Sequence, residues 1–500
     1  MPVPTIYAAE LAHDEQIFRK RIAMNNSASA RAVSSRQPGR FAIQTRLVII
    51  AFVVLVFLTG GSSRGDLASL PLFRAIAVLA AFWAAMRLTA DDWRRIRTPF
   101  VLLLLLTAWT AIQLVPLPSA IWHGLPGRET IVAIDGLLGQ PDLWRPISLT
   151  PSQTWNGLLA MSVPLAALLL AARLDSEDYP LLMLTIVGIA AASALLGFFQ
   201  LLAGSGSAAY LYRITNAESM VGLFANRNHN AVFLACAIVI AAMLLRDERM
   251  RNRQSLPMQL ALIFAGLTFT ALTALIGSRA GFAAGVVAFA VGYAMIVSTW
   301  SAGPAGRRGG AAPSGAPKVR RYLIYSPPVL LAMLLGTAIW LSDRTTAISR
   351  VADRSVGDDM RAQAWPTVLS MIEKYWVAGS GIGSFPDVYK MFESDTLLSP
   401  SYFNHAHNDW AEILLSGGLP MAAILIAALV WFARRFLALG LRNLLKGHRG
   451  DLRLPVFVVV VILAGASLVD YPLRVPSLQV MAIMLITLLC CPAPARAQRN

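Results

Sequence analysis

Apolar and polar residues along this chain fall into long alternating blocks. Apolar runs of about 20 residues, the length a helix needs to cross a bilayer, recur from Ile43 to Leu489. The pattern predicts about twelve membrane-spanning helices, placed near 43–60, 68–88, 99–115, 154–172, 179–203, 226–245, 257–276, 280–298, 322–341, 413–433, 454–469 and 474–491. Helix is the default because backbone groups in lipid must satisfy one another. Between the ninth and tenth runs the pattern changes. Residues 342–412 form a long polar stretch that ends in FNHAHNDWAEILLSGG.

The predicted organisation is an all-α polytopic membrane fold. A tail at 1–42 precedes nine helices over 43–341, which are interrupted by a Gly/Pro/Ala linker at 300–321. The polar loop at 342–412 is followed by three further helices over 413–491. The composition agrees, because 56% of the residues are apolar, whereas soluble chains carry roughly 45–50%. Cys236, Cys490 and Cys491 fall in or beside predicted spans and show no metal or disulfide spacing.

The net charge of +16 invites nucleic acid as a partner, but its distribution argues for topology. Arg94, Arg95 and Arg97 follow the second helix; Arg246, Arg249, Arg251 and Arg253 follow the sixth. Arg307, Arg308, Lys318, Arg320 and Arg321 follow the eighth, and Arg434, Arg435, Arg442, Lys446, Arg449 and Arg453 the tenth. By the positive-inside rule these loops, and both termini, are expected in the cytoplasm. The loops at 116–153, 204–225 and 342–412 are then exterior, and no nucleic acid is expected as a partner.

Polar residues beside the spans gather at the exterior ends, and charges near a span are by default functional candidates. Asn226, Arg227, Asn228 and His229 open the sixth helix, Arg279 lies in the tight GSRAG hairpin, and Asp470 and Arg474 lie in LVDYPLRVPS. Each has a structural reading as well. Asn226 is a good helix cap, Arg279 can snorkel to headgroups, and Asp470 and Arg474 can pair across a turn. As a group they suit an anion, since guanidinium forks match phosphate oxygens.

The loop segment from Asp359 to Lys374 reads as a short amphipathic helix, with Arg361 and Trp365 one turn apart. HAHNDW, His405 to Trp410, places two of only six histidines beside a carboxylate at the entry to the tenth helix. A near-neutral histidine is the ordinary general base for a hydroxyl nucleophile. A metal site from His405, His407, Asp409 and Glu412, or a purely structural pair of histidines, are the alternatives. No metal or cofactor is expected.

Together, Arg279 in its hairpin, the R-x-x-x-W of Arg361 to Trp365, the GSGIGSF turn and HAHNDWAEILLSGGLP resemble the O-antigen ligase and O-antigen polymerase superfamily over about 277–431. The resemblance implies a GT-C-like glycosyltransferase of the bacterial inner membrane. Such an enzyme moves a glycan from undecaprenyl diphosphate to a glycan or lipid A-core acceptor on the periplasmic side. The family's histidine matches His407 best, with His405 as its neighbour, and its arginines match Arg361 and Arg279. Asn226, Arg227, Asn228, Asn408, Asp409, Asp470 and Arg474 are the expected substrate-binding set. The competing class is a transporter or flippase. Such folds place polar groups near the midplane in broken, repeated helices.

Overall fold

The computed structural model of the chain describes residues 40–250, 255–301, 326, 328–329, 331–333, 356–398, 403–440 and 452–491. Nearly all of the predicted N-terminal tail, the linker, most of the ninth span and the C-terminal tail lie outside the described residues. The chain divides into two compact units, Met1–Ile49 and Ile50–Asn500, and the second holds every element from α2 onward.

In chain order the helices are α1 (Arg40–Thr59), α2 (Leu70–Ala85), α3 (Ala90–Ile112), α4 (Ser119–Trp122), α5 (Glu129–Leu137), α6 (Pro151–Ala160) and α7 (Ser162–Ala171). They continue with α8 (Tyr179–Ala203), α9 (Arg227–Met250), α10 (Leu256–Leu275), α11 (Arg279–Ser301), α12 (Val356–Tyr375) and α13 (Phe385–Lys390). The last three are α14 (Asp409–Leu439), α15 (Arg453–Ala466) and α16 (Pro476–Leu488). Among the described residues seven spans are long and apolar enough to cross a membrane, counting α6 and α7 as one, and four shorter apolar helices accompany them. This is a polytopic membrane protein. The strands are confined to β1 (Pro116–Leu117) and β2 (Arg145–Pro146), an antiparallel pair in the predicted 116–153 loop.

α9 is the central helix. Ala231 to Leu245 is buried along its whole length, as expected of a helix that is apolar on every side. α8, α10, α11 and α15 pack around it. A Cβ on Gly281 would collide with Ala231, so the start of α11 lies directly against the start of α9. That brings the GSRAG hairpin beside the Asn226–His229 element.

At the opposite end, Thr89 and Asp92 form a reciprocal capping box on α3. Asp92 pairs with Arg95 at 2.9 Å and also with Arg173. Arg95 reaches the Cys491 sulfur at 3.7 Å. The start of α3 and the ends of α7 and α16 therefore share one side, and Arg173, the sole basic residue of its short predicted loop, stands with the other basic residues.

The polar loop is not structureless. Helix α12 covers the predicted amphipathic segment and extends it N-terminally to Val356, so Asp358 and Asp359 lie inside it. Ala364, Val368, Met371 and Tyr375 form its buried stripe, at helical spacing, and pack with Phe385, Val388, Tyr389, Ala406 and Leu415. The apolar cluster thus includes the alanine between the two motif histidines.

Helix α14 carries the contact that fixes this loop to the membrane helices. Gly418 adopts φ 65°, ψ −166°, which interrupts the helix. The carbonyls freed there are satisfied from outside, as buried backbone must be. Leu415 and Ser416 oxygens accept from the Ser380 and Gly381 amides, both at 3.0 Å, and Val377 accepts from the Leu419 amide at 3.1 Å. Gln113 donates to Ser416 at 2.9 Å and the Trp109 indole to Gly417 at 2.7 Å. Arg128, 1% exposed, adds bonds to Ile147 at 2.6 Å and Gly379 at 2.9 Å. The glycine turn is thereby a docking strip for the kinked helix.

A Cβ at Gly418 would meet the Ala378 and Gly379 backbone at 2.6 Å. Gly418→Val is therefore expected to destabilise the protein by on the order of 3 kcal/mol, from strain and overpacking together. Thermal unfolding in detergent checks it. Gly465→Ala, at a helical position with open space around it, should melt like the wild type.

Candidate functional site

The site forms where the chain enters α14, against the turn between α15 and α16 and the first residues of α9. Asn408, in extended conformation, caps α14 by accepting from the Ala411 amide at 3.1 Å. The Asp409 amide donates to Ser467 at 2.9 Å, and the Trp410 indole donates to Ala464 at 3.1 Å. These bonds hold the motif against the end of α15.

Two histidine–carboxylate pairs result. His407 Nδ1 lies 3.2 Å from Asp470 Oδ1, and His405 Nδ1 lies 3.1 Å from Glu412 Oε1. His407 sits at φ 52°, a left-handed conformation that costs a non-glycine residue energy and is most often kept at functional sites. Asp470 also accepts from the Asn228 amide at 2.8 Å. Glu412 also accepts from the Ala406 amide at 2.9 Å and faces Arg474 at 3.2 Å.

Burial works against ionisation of Asp470, but the hydrogen bond from His407 and the charges of His229, His407 and Arg361 outweigh it and hold the carboxyl well below the usual range. Burial, helped by Arg361, pulls His407 below its ordinary 6.5 against the opposing influence of Asp470. The stable state is a neutral imidazole beside a carboxylate. In that state Nδ1 donates its proton to Asp470, and Nε2 keeps its lone pair.

Asp470 and Arg474 do not need each other as partners. Arg474 donates from Nε to Asp409 at 2.8 Å and spans to Glu412, while Asp470 serves His407. A 3₁₀ turn at Pro472–Arg474 flanked by extended residues takes the two side chains off the helical spacing that would pair them. Arg361, half-buried on α12, bears electrostatically on His407, Asp470, His229 and Tyr471. Arg279 is the exposed first residue of α11. Asn226 caps α9, accepting from the Asn228 amide at 2.9 Å, and Arg227 is half-buried beside it.

Two residues outside the expected set are central. Tyr471 packs against three imidazoles, with ring centroids 4.3 Å from His405 and 5.0 Å from both His407 and His229. Burial pushes its hydroxyl up to about 12, so it stays protonated. His229 is 2% exposed, lies 4.0 Å from Asp470, and has neither ring nitrogen hydrogen-bonded. The sequence signal for both was proximity to residues already singled out, as neighbours of Asn228 and Asp470.

A cleft of about 550 Å³ opens past His405, Glu412 and Arg474, and a second of about 510 Å³ opens past His229, Tyr471 and Asn226. They share Ser62, Ser63, Arg64 and Asn404 as a common wall. Among the described residues no group of three or more His, Cys, Asp or Glu is arranged to hold a metal ion.

Residues 261–426 match the O-antigen ligase family model. The resemblance read from the motifs is borne out over that region. Comparison with curated proteins gives no match. The O-antigen ligase region contains Arg279, Arg361, both motif histidines and Glu412, but Asp470, Tyr471, Arg474 and the Asn226–His229 element lie outside it. Each matched histidine therefore faces residues that the flanking helices supply.

Proposed function

We propose that the protein is a membrane glycosyltransferase that moves a glycan from undecaprenyl diphosphate to an acceptor hydroxyl at the periplasmic face of a bacterial inner membrane. The observation that carries this reading is the neutral His407 held by ionised Asp470, with Arg361 beside it, inside the O-antigen ligase region. His407 Nε2 takes the proton of the acceptor hydroxyl as its oxygen bonds to the anomeric carbon. The bond from that carbon to the phosphate oxygen breaks, and its electron pair leaves with the diphosphate. Arg361 and Arg279 face the developing charge, where a preorganised cation in a water-poor site has its greatest effect. Inversion at the anomeric carbon follows from attack opposite the leaving group.

The polar groups collect at one end of the helices, which favours transfer over transport, whose sites lie near the midplane. The glycan profile of a deletion strain tests the reading. Loss of all polymer from lipid A identifies a ligase, survival of single-repeat species identifies a polymerase, and an unchanged profile rejects both.

The pH profile is a second test. The base works only when neutral, and burial holds His407 below 6.5. The acid limb of kcat/KM, which reports the free enzyme, is therefore expected below pH 6.5, with activity level above it. An acid limb above 6.5 would be incompatible with a buried neutral base.

A further inference from the structure

Helix α2 carries an arginine in an otherwise apolar sequence, LPLFRAIAVLAAFWAA. Arg74 lies one turn in from the helix start, half-buried, on the wall of the larger cleft. Its guanidinium donates to the Asn156 amide oxygen at 2.6 Å. The other cations lining that cleft stand against carboxylates: Arg64 against Asp66 at 2.6 Å, Lys390 against Asp387 at 3.5 Å, and Arg474 against Glu412 at 3.2 Å. Among the described residues Arg74 has a neutral partner. A half-buried cation without a counter-charge is unfavourable in an apolar helix, and in membrane proteins such a group marks a ligand or ion path.

The surroundings define the ligand. Leu70, Phe73 and Met161 line the cleft near Arg74, whereas Gln153, Asn404 and Gln479 offer amides suited to sugar hydroxyls. An apolar chain, one anionic group and a glycan therefore find complementary surfaces in one cleft. The neighbouring cleft is lined by His229 and Tyr471, the residues on which Arg361 bears. If Arg361 serves the donor diphosphate, the donor occupies that neighbouring cleft and Arg74's cleft is left for the other substrate.

We infer that Arg74 and Asn156 form an anion site for the phosphate of the acceptor, which is itself a lipid-linked glycan. This rests on the transferase reading above and narrows its acceptor to a phosphate-bearing lipid, excluding a protein. The phosphate belongs either to a second polyprenyl carrier or to lipid A.

The test uses the full chain in detergent, with native mass spectrometry counting bound undecaprenyl phosphate. Wild type should bind two equivalents. Arg74→Gln should weaken one of them about tenfold or more, the scale of one charge-assisted hydrogen bond, and Arg361→Gln the other. Arg74→Lys should largely keep the first, and Asn156→Leu, which leaves the cation but removes its clamp, should weaken it. Lipid A is then added as competitor. Displacement of the Arg74-dependent equivalent identifies a lipid A-type acceptor and retention a polyprenyl one, and both agree with the inference. Two equivalents of unchanged affinity in Arg74→Gln, with one lost in Arg361→Gln, would overturn it while leaving the transferase reading intact. Loss of one equivalent in Arg74→Gln with none in Arg361→Gln would instead remove the donor assignment.

Discussion

His407→Ala is expected to lower glycan transfer by about 10²- to 10⁴-fold, the usual contribution of a positioned general base, with little change in thermal stability. The imidazole is 15% exposed and its one strong partner is Asp470, so its removal uncovers a carboxylate that Asn228 still satisfies. Asp470→Asn should cost less, because the imidazole remains but loses the acceptor that fixes its tautomer. His405→Ala is the discriminating control. His405 is paired in the same manner, but with a carboxylate that Arg474 and the Ala406 amide already occupy, and the arginine of α12 bears on His407. The rate loss should therefore be larger at His407. Purified enzyme with lipid-linked donor measures it, and wild-type turnover in His407→Ala would end the assignment.

Part of this site was legible because polar residues stand out against an apolar sequence. HAHNDW could be found by inspection, since two histidines and a carboxylate at the entry to a span have few bland explanations. The amphipathic spacing of Ala364, Val368, Met371 and Tyr375 likewise gave away α12. The pairings were not legible, because they cross large sequence distances: 63 residues from His407 to Asp470, 65 from Asp409 to Arg474, and 242 from Asn228 to Asp470. Only packing of α9, α14 and α15 decides them. The short spacing of Asp470 and Arg474 pointed instead to a mutual pair, which the 3₁₀ turn removes. The kink at Gly418 was similarly hidden, since SGGLP reads as a helix break but not as a surface for the GSGIGSF strip.

Arg474→Met is expected to destabilise the protein by about 3–5 kcal/mol, the cost of removing one partner from a buried ion pair. Arg474 lies between Asp409 and Glu412, which are 5% and 1% exposed. Without it, Asp409 keeps the Ser467 hydroxyl and Glu412 keeps His405 and the Ala406 amide, but two carboxylates remain in one buried site with no guanidinium to hold them apart. Arg474→Lys should recover part of the loss, because an ammonium restores charge but not the fork that reaches both acids. Arg474→Met combined with Asp409→Asn and Glu412→Gln should recover more, because the charges needing compensation are gone. Thermal unfolding without substrate reads all of these. The same measurement separates the two roles open to this arginine, since a residue that served only to bind substrate would leave the melting temperature of Arg474→Met at the wild-type value and change only the affinity.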